Sequence, residues 1–174
     1  MKKVLITILI IVIIIFNTKG DSFTIPKEAI RFRVIANSNS IEDQNIKHLI
    51  KTTVEKDLYN LLQESSTIDL ARQTLSTSIP KINDTILRTL QQNNINYKHN
   101  TNFGSNYFPK KEYKGIIYEE GNYESLVVTL GKGEGDNWWC VLFPPLCLLE
   151  AEEKQTDEIE YQFFVKKLID KYLK

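Results

Sequence analysis

Cysteine and histidine are scarce in this chain of 174 residues, with two of each. Two cysteines are too few for a disulfide scaffold or for a zinc site built of cysteine. His48 and His99 alone leave little for a histidine metal site. No sign of charge is in excess either, since 22 basic side chains face 22 acidic ones. A chain without a basic surplus has no electrostatic drive toward nucleic acid. Several catalytic signatures are missing: there is no Gly-x-Ser-x-Gly and no His-Glu-x-x-His. The glycines at 131, 133 and 135 lack the Gly-Lys-Ser/Thr ending of a phosphate loop and the spacing of a dinucleotide fingerprint. Repeats and low-complexity tracts are absent. No cofactor, metal or small-molecule substrate is expected. What is present is globular: 42% hydrophobic and 25% charged residues, in a length that suits one domain.

The chain has one long apolar run, residues 4–16, interrupted only by Thr7 and preceded by Lys2 and Lys3. A positive start, a short apolar stretch and a polar stop at Asn17-Thr18-Lys19-Gly20 form the layout of an export signal. The run is short for a spanning helix, which needs about 20 apolar residues. Residues 1–20 are therefore read as a signal peptide, either removed after Gly20 or kept as an anchor. No cysteine follows the run, which excludes lipid attachment there. Loss of Lys2, Lys3 and Lys19 would leave a mildly acidic mature protein outside the cytoplasm, where a disulfide is permitted.

Residues 21–28 read as a polar tether and residues 29–174 as a single α+β domain. Its expected order is an N-terminal strand and helices, then an antiparallel sheet and a C-terminal helix. Ile30, Phe32 and Val34 alternate with Arg31, Arg33 and Ile35, the period of a half-buried strand. Ser40 caps a helix over 41–64, with Glu42 and Asp43 in its first turn. A short helix is expected over 68–77. Another should start with Ser78 as cap and Pro80 in its first turn, and end at Asn93-Asn94. Strands are expected over 95–103, 114–118, 123–131 and 138–143, with a hairpin turn at 120–122 and a flexible one at 131–137. A closing helix covers 157–173.

The densest segment is residues 131–147, GKGEGDNWWCVLFPPLC. Its glycines read as a mobile hairpin loop, or as a loop whose backbone approaches a partner. Trp138 and Trp139 must point to opposite faces of a strand. One then packs in the core, and the other is either covered by a helix or exposed as an interface anchor. Cys140 and Cys147 flank Pro144-Pro145, a corner able to bring them within disulfide reach. The rival reading is a nucleophilic thiol served by His48 or His99. Arg31, Arg33, Asn37, Asp43, Gln44 and Lys47 surround the first strand-to-helix turn, as a capping network or as a ligand-contacting surface. Glu150, Glu152 and Glu153 read as a solvated acidic linker.

Two of these segments carry a resemblance. Residues 31–40, RFRVIANSNS, with Glu42, Asp43, Gln44 and Lys47, resemble the opening of the stage II sporulation protein R family. Residues 137–147, NWWCVLFPPLC, resemble that family's signature almost letter for letter. Tyr107-Phe108-Pro109, Gly115 and Gly121-Asn122-Tyr123-Glu124 agree with it, so the likeness spans about residues 29–149. Asn39 stands where the family pattern has Asp. The resemblance implies a signalling protein of endospore formation, made in the forespore and exported to the space between forespore and mother cell. Its implied partner is the membrane-embedded mother-cell protease that processes pro-sigma-E, which it activates without catalysis of its own. The expected contacts are Trp138, Trp139, Gly133, Gly135, Asn137, Arg31, Arg33, Asn37, Asp43 and Gln44. The alternative from another class is an exported thiol-dependent or cell-wall hydrolase.

Overall fold

A computed structural model describes residues 23–113, 116–147 and 158–173. The apolar run 4–16 and the acidic linker at 150–153 lie outside these residues. The described elements are, in order, β1 (Phe23–Thr24), β2 (Ile30–Ile35), α1 (Ile41–Leu62), α2 (Ile68–Gln92), β3 (His99–Phe108), β4 (Lys111–Tyr113), β5 (Ile116–Tyr118), β6 (Gly121–Leu130), β7 (Asn137–Phe143) and α3 (Glu158–Tyr172). The class is α+β, as the order of elements implied.

The larger sheet has the order β3-β6-β2-β7. It is mixed rather than antiparallel throughout. β2 runs parallel to β6, with Arg31 opposite Ser125, and antiparallel to β7, with Arg33 opposite Trp139. The first strand of this sheet therefore sits at its centre, between two strands from the end of the chain. A parallel neighbour requires a long crossover, and α1 and α2 supply it. The smaller sheet has the order β1-β5-β4. The hairpin expected at 120–122 does not form, because β5 belongs to the small sheet and β6 to the large one.

One face of the large sheet carries α1 and α2. Ile30, Phe32, Val34, Leu126, Val128 and Leu130 meet Ile50, Val54, Leu58, Leu75, Ile82 and Ile86 there, all buried. The Ser40 hydroxyl accepts from the Asp43 N–H at 3.1 Å and starts α1 as expected. The break expected near residue 78 is absent, since α2 is continuous through Pro80 and Ser78 lies inside it. Proline removes one ladder bond at a cost of about 3 kcal/mol. Ala71, Leu75, Ile82, Ile86 and Leu90 nonetheless form one unbroken buried face on both sides of it. Thr85 also donates to Asp57 of α1 at 2.5 Å. Packing of the whole face outweighs the local defect. Arg72 reaches from α2 to both carboxylate oxygens of Glu124 on β6, at 2.7 and 2.9 Å.

A second cluster joins Ile25, Ala29, Ile116 and Val141 to Tyr161, Val165, Leu168 and Ile169 of α3. The residues expected to be a tether are thus partly built in. Phe23 and Thr24 pair with Ile116 and Ile117, and Ile25 is buried. The apolar Ile25 gains more from this cluster than from water.

Candidate partner-binding site

The sequence-selected residues fall into two separate places. The first is the turn from β2 into α1. Asn37 Nδ2 and the Ser38 hydroxyl both donate to Asp43 Oδ2, at 2.8 and 2.6 Å. Asn37 Oδ1 accepts from the Lys132 N–H at 2.9 Å, and Asn39 Oδ1 from the Asp136 N–H at 2.6 Å. Gln44 Nε2 donates to the Ser38 carbonyl at 2.9 Å. Lys47 Nζ donates to Gln44 Oε1 at 2.5 Å and to the Asp136 carbonyl at 3.1 Å. The N–H groups of Glu134 and Gly135 donate to the carbonyls of Asn37 and Ala36.

These bonds settle what the glycine segment is. It is a loop fastened along its length to the β2–α1 turn, and its close approach is to its own chain. A Cβ on Gly135 would lie 2.2 Å from the Ser38 carbonyl oxygen. Gly131 has φ +56°, and a Cβ there would lie 2.1 Å from Asn37 Oδ1. Gly133 is tied in as well, its N–H on the Leu130 carbonyl. Asn37, Asp43 and Gln44 thus form a latch whose polar groups are matched internally. The Asp43 carboxyl is held below the usual carboxylate range, first by the Ser38 hydroxyl and then by Asn37. Burial and the neighbouring Asp43 charge push the Tyr97 hydroxyl up to about 12.

The second place is on the opposite face of the large sheet. Arg31 and Arg33 project away from the helices, because Phe32 and Val34 occupy the helix side. Arg31 is 2% exposed, so this strand is buried on both faces there. Its guanidinium carbon lies 3.3 Å from the centre of the Tyr123 ring and 5.2 Å from that of Phe108. Arg33 lies 4.5 Å over the Trp139 ring. Such stacking stabilises a desolvated cation. Burial still pulls both guanidiniums below their ordinary values, opposed at Arg31 by Tyr123 and Tyr118. Arginine stays charged regardless. Among the described residues, no carboxylate forms an ion pair with either one.

The tryptophans divide as strand geometry requires. Trp138 meets Phe32 edge-on at 5.5 Å on the helix side, under the Lys51 ammonium at 4.7 Å. Trp139 meets Phe108 at 4.9 Å on the arginine side. Both are half-buried. Cys140 and Cys147 form a disulfide, with Cα atoms 5.7 Å apart, and no free cysteine remains. His48 is exposed on α1, and His99 Nε2 lies 3.2 Å from Asn83 Oδ1.

A cavity of about 420 Å³ opens beside Arg31. Its walls include Asn137 to Cys140 of β7, Lys111 to Tyr113 of β4, Phe108 and Tyr118. Sequence pattern alone does not bring Phe108, Lys111 and Tyr118 to this site. The aromatic run at 107–109 marked one of them, but no local pattern places β4 beside β7.

The sequence profile of the family described as Stage II sporulation protein R (spore_II_R) matches residues 26–153. Stage II sporulation protein R of Bacillus subtilis (strain 168) is 34% identical over 157 residues, covering 82% of this chain and 70% of that protein. No solved structure matches the chain.

Proposed function

The chain belongs to the stage II sporulation protein R family and has a role in sporulation, and on that premise we propose that it is an exported activator of the membrane-embedded protease that processes pro-sigma-E. In this reading residues 1–20 direct export from the forespore. The folded domain then binds the extracytoplasmic face of the mother-cell protease. Binding favours the active arrangement of the protease by differential affinity for that state, which is all that a ligand needs to shift an equilibrium. The protein acts as a ligand and performs no catalysis.

The observation that carries this reading is the cavity beside Arg31. It brings together residues from both segments that resemble the family, Arg31 from one and Asn137, Trp138, Trp139 and Cys140 from the other. A buried cation with no ion-pair partner among the described residues and two half-buried tryptophans beside an opening have the chemistry of a protein interface. The thiol-hydrolase reading needs a free thiolate. Cys140 and Cys147 are instead bonded to each other.

The test is reconstitution in a non-sporulating bacterial host carrying the protease and a tagged pro-sigma-E. Tag size is followed by immunoblot with the chain expressed, withheld or lacking residues 1–20. Processing is expected only with the export-competent chain. Processing that is equally strong without the chain, or absent with all three proteins well expressed, would count against the activator role. Trp139→Ala is expected to fold and to lower processing markedly.

A further inference from the structure

We propose that the cavity beside Arg31 is a docking groove for an extended peptide segment of a partner, which adds to a free strand edge and sets an Asp or Glu carboxylate against Arg31. The proposal rests on the activator reading only for the source of that segment, an extracytoplasmic part of the processing protease.

The shape of the cavity comes from two strand edges. Successive side chains of a strand point to opposite faces. Four consecutive residues, Asn137 to Cys140, can therefore all line one cavity only along the edge of β7. The same holds for Lys111, Glu112 and Tyr113 of β4. β7 ends the order of the large sheet and β4 ends that of the small one. Among the described residues β7 has no further strand partner beside β2. An unpaired edge offers a row of N–H and C=O groups to an incoming extended chain.

The chemistry of the wall selects what that chain carries. Arg31 is 98% withdrawn from solvent, yet its Nε and Nη2 have no hydrogen-bond partner among the described residues. Asn137 Oδ1 on the same wall is a buried acceptor without a donor. Buried polar groups left unmatched are costly, and a buried cation without a counter-charge most of all. A peptide supplies both complements, a backbone N–H for Asn137 and a carboxylate for Arg31. Phe108 and Tyr123 cover the Arg31 guanidinium, and an apolar cover strengthens an ion pair formed there. Lys111 and Glu112 both line the β4 side and offset each other, so the selecting charge is that of Arg31. At the nearby latch, by contrast, the side chains of Asn37 and Asp43 are bonded within the chain.

Trp138 and Trp139 are the protein's two tryptophans, and both line the groove. Intrinsic fluorescence of the purified full chain therefore reads the site directly. The probes are synthetic peptides tiling the extracytoplasmic segments of the protease, plus two decapeptide pools with a central Glu or a central Gln. A saturable emission shift is expected with an acidic tile and with the Glu pool. Exchange of the acidic residue for its amide is expected to weaken binding about tenfold or more. Methylating the backbone nitrogens on one edge of the peptide should abolish binding, and methylating the other edge should not. Lys111→Glu, on an exposed residue, and Arg31→Lys, which keeps a cation over Tyr123, are each expected to weaken it several-fold. Unchanged circular dichroism would show that both variants fold. No shift with any probe overturns the groove, and if that chain still triggers processing the activator reading stands alone. Binding indifferent to the amide exchange and to methylation overturns it as well. A concentration-dependent dimer with already shielded tryptophans would assign the groove to a second copy and overturn the proposal. Peptide binding without any processing would support the groove and count against the activator reading.

Discussion

The latch ties the turn after β2 to the loop before β7, and the groove beside Arg31 is lined by residues of β2 and β7 themselves, yet the two differ in how polar groups are matched. At the latch, Asn37 uses both ends of its amide, one on Asp43 and one on the Lys132 N–H. Lys47, though buried, finds two acceptors. At the groove, Arg31 rests on aromatic faces, and its Nε and Nη2 have no hydrogen-bond partner among the described residues. Two adjoining stretches of one sequence thus serve two ends. Matched polar groups hold the fold in register. Unmatched ones, on the proposal above, are completed by a partner.

The largest expected effect lies at the latch. Gly135→Ala places a methyl against the Ser38 carbonyl, which belongs to backbone and cannot turn aside. A loss of about 3 kcal/mol is expected in urea unfolding. A loss under about 0.5 kcal/mol, in the range of ordinary surface changes, would mean that the loop is not held as described. The next effect concerns the groove wall. Replacing Cys140 and Cys147 together by Ser removes the covalent closure of a short loop and should cost about 2–3 kcal/mol by the same measurement.

A smaller effect depends on pH. The depressed carboxyl of Asp43 contributes stability that is present above its unfolded value, about 3.9. It is lost as pH falls through the lower folded value. Asp43→Asn should therefore be less stable than the parent at neutral pH and converge on it in acid, as read from unfolding midpoints across pH. Parallel curves would remove Asp43 from the latch. The smallest effect on stability is expected for Lys111→Glu, within about 0.5 kcal/mol. That substitution should still lower processing in the reconstituted host. If it leaves processing untouched while Gly135→Ala at permissive temperature abolishes it, the roles of the two regions would be reversed.

Local chemistry was the legible part of this chain. Ser40 with Glu42 and Asp43 marked the start of α1, and the Pro-Pro corner brought Cys140 near Cys147. Pro80 misled because local rules treat proline as a boundary, whereas α2 is held by a face that runs past it. The glycines at 131, 133 and 135 looked mobile because their reason lies far away in sequence, at Asn37 and Ser38. Alternation along β2 located its apolar face correctly. It did not show that Arg31 is buried too, because the cover comes from Phe108 and Tyr123. The pairing of β2 with β6 and the meeting of β4 with β7 are long-range facts with no local signature.

The central place of β2 has a consequence for how the chain acquires its form. The strand is made early, but its neighbours β6 and β7 follow only after both long helices. Pairings so distant in sequence make folding slow, because the intervening chain must be gathered before any contact rewards it. Until β6 has emerged, through residue 130, Phe32 and Val34 have no sheet to join. A nascent chain of this kind stays open through most of its synthesis, the condition under which a polypeptide can be threaded through a narrow channel before it closes on itself.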